Sequence, residues 1–203
     1  MKLSIFDRAL TDGIRKGQVP ARSKQSQNWF RQKAQSMRKM NILKSGQENR
    51  LLETLSDRKT SQVKIGEMFL FSYDPKHKKT LPHYDKFPLI FPFEVADGGF
   101  LGLNVHYLPL KLRAQLMDGL YTLASDSNFD ENTKLNLRYQ SLKGVAKMKY
   151  FRPCVKRYLV QHMKSPPHKI HSSEWDIALF LPLARFEKES TQTVWAKARK
   201  AVR

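Results

Sequence analysis

Three sets of side chains in this sequence are of types that do chemistry. The histidines form two groups: His162, His168 and His171 with Cys154 upstream, and His77, His83 and His106. A structural zinc site needs four ligands at short, regular spacings, whereas the first group is split by Ser165-Pro166-Pro167. Both groups read as ordinary surface or hydrogen-bonded histidines, and no metal is expected. The carboxylates Asp74, Asp85, Glu94 and Asp97 are the second set, since two or more converging carboxylates would hold the Mg²⁺ of a phosphodiesterase. Asp74-Pro75 and Asp97-Gly98 are turn dipeptides, however, and Asp57-Arg-Lys59 has no strand around it. Nucleophile elbows, phosphate-cradling glycine loops and dinucleotide fingerprints are absent. Gly98-Gly99-Phe-Leu-Gly102 reads as a hairpin turn followed by a strand glycine. A non-enzymatic protein without a cofactor is therefore expected.

The third set is the cations, which dominate. The net charge is +19. Residues 13–47 hold nine Lys or Arg and residues 132–173 hold ten, with no Asp or Glu in either stretch, so these two segments account for the whole excess. A charge of this size destabilises a compact state by self-repulsion and points to a polyanionic partner. A disordered basic tail would be poor in apolar residues, but Trp29, Phe30, Leu135, Tyr139, Tyr150, Phe151 and Tyr158 are interleaved with the charges. Neutralising phosphates releases counterions and needs no contact to base edges. The expected phosphate contacts are Arg31, Lys33, Arg38 and Lys39 on the first segment, with Lys147, Lys149, Arg152, Lys156 and Arg157 on the second. Tyr150 and Phe151 are of a type that stacks on unpaired bases, or that anchors the following helix to the core.

Positioning these groups falls to a small sheet and the helices around it. Between residues 66 and 108 three runs rich in aromatic and β-branched residues are separated by Gly, Pro and Asp, the pattern of a small antiparallel sheet. Pro88 and Pro92 cannot donate to a ladder, which places the middle run at an edge or on a bulge. Phe100, Gly102, Asn104 and His106 alternate with Leu101, Leu103, Val105 and Tyr107, implying one apolar and one wet face. Everything else reads as helix or loop. Helices are expected over residues 3–16, 25–40, 132–144, 152–163, 175–181 and 191–203, and after Pro109, with Ser172 or Ser173 capping the one that begins at 175. Residues 42–60 are the expected linker. The resulting expectation is an α+β fold: a small antiparallel SH3-like sheet at about residues 66–108, packed by N- and C-terminal helices. Its parts are a basic helical arm over 1–60, an α+β core over 61–190 and a basic helix over 191–203.

At 203 residues the chain suffices for one well-buried domain. The lone Cys154 excludes an internal disulfide. No apolar run reaches the roughly 18 residues of a membrane span, and the N-terminus has no apolar signal core. A soluble protein without membrane contact is expected.

Four stretches carry a resemblance: Gly13-Ile-Arg-Lys-Gly-Gln-Val-Pro-Ala-Arg22, Met68-Phe-Leu-Phe-Ser-Tyr-Asp-Pro-Lys-His-Lys-Lys-Thr-Leu-Pro-His-Tyr-Asp-Lys-Phe-Pro-Leu-Ile-Phe-Pro92, Gly98-Gly-Phe-Leu-Gly-Leu-Asn-Val-His-Tyr-Leu-Pro109 and Ser173-Glu-Trp-Asp-Ile-Ala-Leu-Phe-Leu-Pro182. Over most of its length the chain resembles the DNA end protector family of T4-like tailed phages. The resemblance implies a virion protein that binds the ends of packaged linear double-stranded DNA and shields them from host exonuclease. It also implies partners among other virion proteins, and a place in the virion and then in the host cytoplasm after injection and during assembly. It brings no catalytic residues. The alternative is a structural virion protein of neck, tail or baseplate whose basic faces meet acidic protein neighbours.

Overall fold

A computed structural model of the chain describes residues 32, 55–124, 128–181 and 183–201. The helix expected over 3–16, all of the one expected over 25–40 but Gln32, and all but the end of the expected linker lie outside these residues. The fold is α+β. Five strands form one antiparallel sheet in the order β5-β4-β3-β1-β6: β1 is Met68–Leu70, β3 Leu89–Ala96, β4 Gly99–Asn104, β5 Val155–Leu159 and β6 His168–Ile170. A separate two-stranded ribbon pairs β2, Tyr84–Asp85, with β7, Phe186–Glu187. The order is a meander whose last strand returns to pair with the first.

The run with the two prolines is the central strand, not an edge. Its first half pairs with β1 and its whole length with β4. The missing Pro92 N–H is accommodated by a bulge, because the register shifts between Pro92, opposite Gly102, and Glu94, opposite Leu101. The turn from β3 to β4 is the expected one, with Gly98 at φ +65°. Gly99 is required by close approach: a Cβ there would sit 1.8 Å from the carbonyl oxygen of Tyr158 on β5.

Two expectations fail around the second basic segment. Residues 152–163 do not form a helix. Lys149–Cys154 is a 3₁₀ turn containing Pro153, and Val155–Leu159 then pairs along β4, Lys156 opposite Gly102 and Arg157 opposite Leu101. Pro153 looks like a helix start and Val155, Tyr158 and Leu159 stand at helical spacing, but the open ladder of β4 overrides that local signal. His168–Ile170 likewise joins the sheet beside β1. The sheet thus reaches well beyond residues 66–108.

Four helices follow from local pattern. Helix α1, Leu110–Ala124, starts after Pro109 and buries Leu116, Met117 and Leu120. Helix α2, Glu131–Lys147, is capped by Asp130, whose carboxylate accepts from the Thr133 N–H. Helix α3, Trp175–Phe180, is led in by a 3₁₀ turn at Ser172–Glu174, so the position before it is held by Glu174 and not by the expected serine. Helix α4, Thr191–Lys200, is capped by Ser190 and sends Val194 into the core.

The core lies on both faces of the sheet. One face carries Met68, Leu70, Leu89, Phe91 and Leu103 against α1, α2 and α3, with Trp175 edge-on to Phe91 at 4.9 Å. The other carries Phe69, Phe71, Tyr73, Ile90, Phe100 and Tyr158, closed by Val63 and Met163. The alternation along β4 implies that this second face is wet. Instead Asn104 and His106 have no exposure at all.

Candidate nucleic-acid interface

The buried polar groups of the second face come first, because they fix the strands that carry the cations. Asp85 accepts from four donors: the N–H of Phe87 and of Arg185, Asn104 Nδ2 and His106 Nδ1, the last at 2.7 Å. Asn104 Nδ2 also reaches the Tyr158 hydroxyl at 3.0 Å. Burial holds the His106 imidazole below its ordinary pKa against the pull of Asp85, so at neutral pH the ring is neutral with its proton on Nδ1. Arg113, almost fully buried, donates to the carbonyls of His106, Leu108 and Leu179 and ties α1 to this network. Trp195 of α4 donates to the same His106 carbonyl at 2.8 Å.

Around that scaffold the second basic segment runs along the surface. Lys147 ends α2, where a cation suits the helix C-terminus. Lys149 and Arg152 are exposed on the 3₁₀ turn that follows. Between Lys147 and Arg152, Met148 is 53% and Tyr150 64% exposed, whereas Phe151 packs against the core. Of the two aromatics, Tyr150 is therefore the one offered to solvent and Phe151 the anchor. A groove of about 470 Å³ lies between this turn, the segment after Tyr107 and α4, with Tyr150, Pro153 and Arg199 on its walls. Lys147, Lys149 and Arg152 thus share one exposed stretch.

Lys156 and Arg157 sit elsewhere, on β5. The Lys156 ammonium lies over the Tyr107 ring, 4.3 Å from its centre, and burial pushes its pKa down. Arg157 donates to the Asp97 carbonyl at 2.7 Å, bracing the β3–β4 turn. Both residues line a second, larger cleft of about 630 Å³, and Tyr107 lines both it and the groove beside Tyr150. The expected contacts Arg31, Lys33, Arg38 and Lys39 lie outside the described residues.

The other chemical candidates separate. Asp74 pairs with Lys78 at 2.9 Å, which holds its carboxyl below the usual range, while Glu94 and Asp97 are exposed on the β3–β4 hairpin. Asp85 has its oxygens taken up by the four donors. No group of three His, Cys, Asp or Glu suited to a metal ion occurs among the described residues. Burial pushes the Cys154 thiol up to about 12, which leaves it protonated at neutral pH. No helix among the described residues is long and apolar enough to cross a membrane.

Sequence reasoning missed the buried Asp85–His106–Asn104–Tyr158 network and the contribution of residues 73–85 to the cleft. The basic run Lys76-His-Lys-Lys79 was the available signal for the latter. Among known proteins, the family model described as the Phage T4 terminal DNA protecting protein matches residues 3–198. No curated protein and no solved structure matches the chain.

Proposed function

We propose, from the premise that the chain belongs to the family described as the Phage T4 terminal DNA protecting protein, that it binds the ends of linear double-stranded DNA and shields them by occupying them, without catalysing a reaction. The observation that carries this reading is the acid-free basic segment over residues 132–173, which presents Lys147, Lys149 and Arg152 on one exposed stretch beside the solvent-facing Tyr150. Phosphate contact of this kind is strong at low salt and indifferent to sequence, as protection of any terminus requires. Lys156 and Arg157 extend the contact from β5. Arg31, Lys33, Arg38 and Lys39 supply a second basic face on an N-terminal arm over 1–60, joined to a core over 61–190 and a closing basic helix over 191–203.

The protein acts as a virion component. It travels with the packaged genome beside other virion proteins, and it acts in the host cytoplasm when the ends meet the host's exonuclease. Digestion of linear duplex by a processive end-dependent exonuclease, with and without the protein and with excess nicked circle, tests the reading. Protection that survives the circle is expected. Protection erased by circle leaves general phosphate affinity only. Absence of protection at low salt returns the basic faces to a structural role against acidic neighbours in the neck, tail or baseplate.

A further inference from the structure

Phosphate contact along a duplex does not explain the larger cleft. It opens between the 74–85 loop, the tip of the β3–β4 hairpin and β5, and its volume of about 630 Å³ is that of a pocket for a small ligand. A double helix does not fit such a space. A single nucleotide does.

The chemistry inside is specific. Tyr73, Tyr107 and Tyr158 form a ring-lined floor, and the half-buried His83 and Tyr84 form a wall. His83 packs against the paired rings of Tyr107 and Phe186, with centroids 5.8 and 6.2 Å away, and burial holds it below its ordinary pKa against the pull of Glu189. Lys156 is the informative residue. Its ammonium is drawn into the cleft over Tyr107, and among the described residues no carboxylate stands within ion-pair distance of it. A partly desolvated cation without a counter-charge is costly, and a ring face compensates it only in part. An anion inside the cleft would complete it. Asp85, although it lines the wall, already spends both oxygens on protein donors. Arg157 adds positive charge on the same strand.

We propose that this cleft receives the frayed terminal nucleotide of a duplex end, its phosphate on Lys156 and Arg157 and its base against Tyr84 and His83. The inference rests on the end-binding reading above and states how an end is told from an interior. Only a terminus yields an unpaired nucleotide at small unstacking cost, and aromatic faces hold any base without reading it. Tyr107 lines both cleft and groove, so the pocket is the neighbour of the groove that Lys149 and Tyr150 line.

The test uses the full chain and a duplex carrying 2-aminopurine either at its terminal position or well inside. Binding is expected to quench the terminal probe at least about two-fold and to leave the internal one unchanged. Lys156→Met, which keeps a chain of similar length on Tyr107, is expected to abolish the terminal response. It also lowers the preference for free-ended over hairpin-closed duplex at least about five-fold. Tyr84→Leu, checked for folding by circular dichroism, is the second variant and is expected to lose the quenching as well. A terminal response that persists in both variants overturns the cleft assignment. So does a wild-type protein that prefers free ends yet leaves the terminal probe unquenched, and in that case the end-binding reading survives. A wild-type protein with no preference for free ends sinks both.

Discussion

The two faces of the sheet share their strands but differ in what they bury. The helix-covered face is mainly apolar, from Leu70 and Phe91 to Trp175 on α3, with His168 beside Leu70 and Arg138 over the Trp175 ring as its buried exceptions. The opposite face mixes rings, Phe71, Tyr73, Phe100 and Tyr158, with Asp85, Asn104 and His106, and among the described residues no helix packs on that ring cluster. Apolar burial needs only shape, and it supplies most of the stability. Buried polar groups need partners at set distances, and meeting that need holds the 74–85 loop, β4 and β5 in register around a cleft. One face supplies the apolar core; the other holds the strands that frame the cleft.

Substitutions separate the two. The largest effect is expected from Trp175→Ala on the apolar face, about 3–5 kcal/mol of lost stability in urea denaturation. A loss under ~1 kcal/mol would mean that α3 is not part of the cooperative core. Next comes Asp85→Ala on the polar face, which strands four donors at once and is expected to cost about 3 kcal/mol. A neutral result there would reduce the network to decoration and erase the contrast.

Acid provides a third, smaller probe. His83 and His106 have folded-state pKa values lowered by burial, as does His168. Above their unfolded value of 6.5 both states bind no proton at these rings, so stability is full. Below it the unfolded chain takes up protons that the folded one resists, and stability falls. The melting temperature should be flat between about pH 7 and 8 and drop toward pH 5. A rise on acidification would contradict the neutral, buried assignment of His106.

The smallest stability effects belong to the exposed cations. Lys147→Ala and Arg152→Ala should each change stability by less than ~0.5 kcal/mol. Each should reduce the dependence of log affinity on log salt by about 0.9 for every phosphate it no longer neutralises. Unchanged salt slopes would move the duplex contact away from residues 147–152.

Much of the apolar face was legible in sequence. The helical spacing after Pro109 and the Asp97-Gly98 turn are local signals, and local structure follows them. The polar face is hidden for a physical reason: alternating polar residues imply solvent unless their partners are known. Asn104 and His106 find theirs in Asp85 and Tyr158, whose side chains reach them only in the fold. The same holds for β5, where Val155, Tyr158 and Leu159 stand at helical spacing and pairing with the free edge of β4 overrides it. Among candidate site residues, charge alone marked out Lys147, Lys149 and Arg152. The cleft was invisible because three distant stretches build it, and nothing local in Lys156 indicates that its ammonium rests on Tyr107.

The most direct measurement is an equilibrium competition at near-physiological salt between a free-ended duplex and the same sequence closed by hairpins at both ends. Recognition of termini predicts that the free-ended duplex binds at least about ten-fold tighter, a difference of about 1.4 kcal/mol. Equal affinities for the two would contradict it and leave a protein that holds phosphate wherever it meets it.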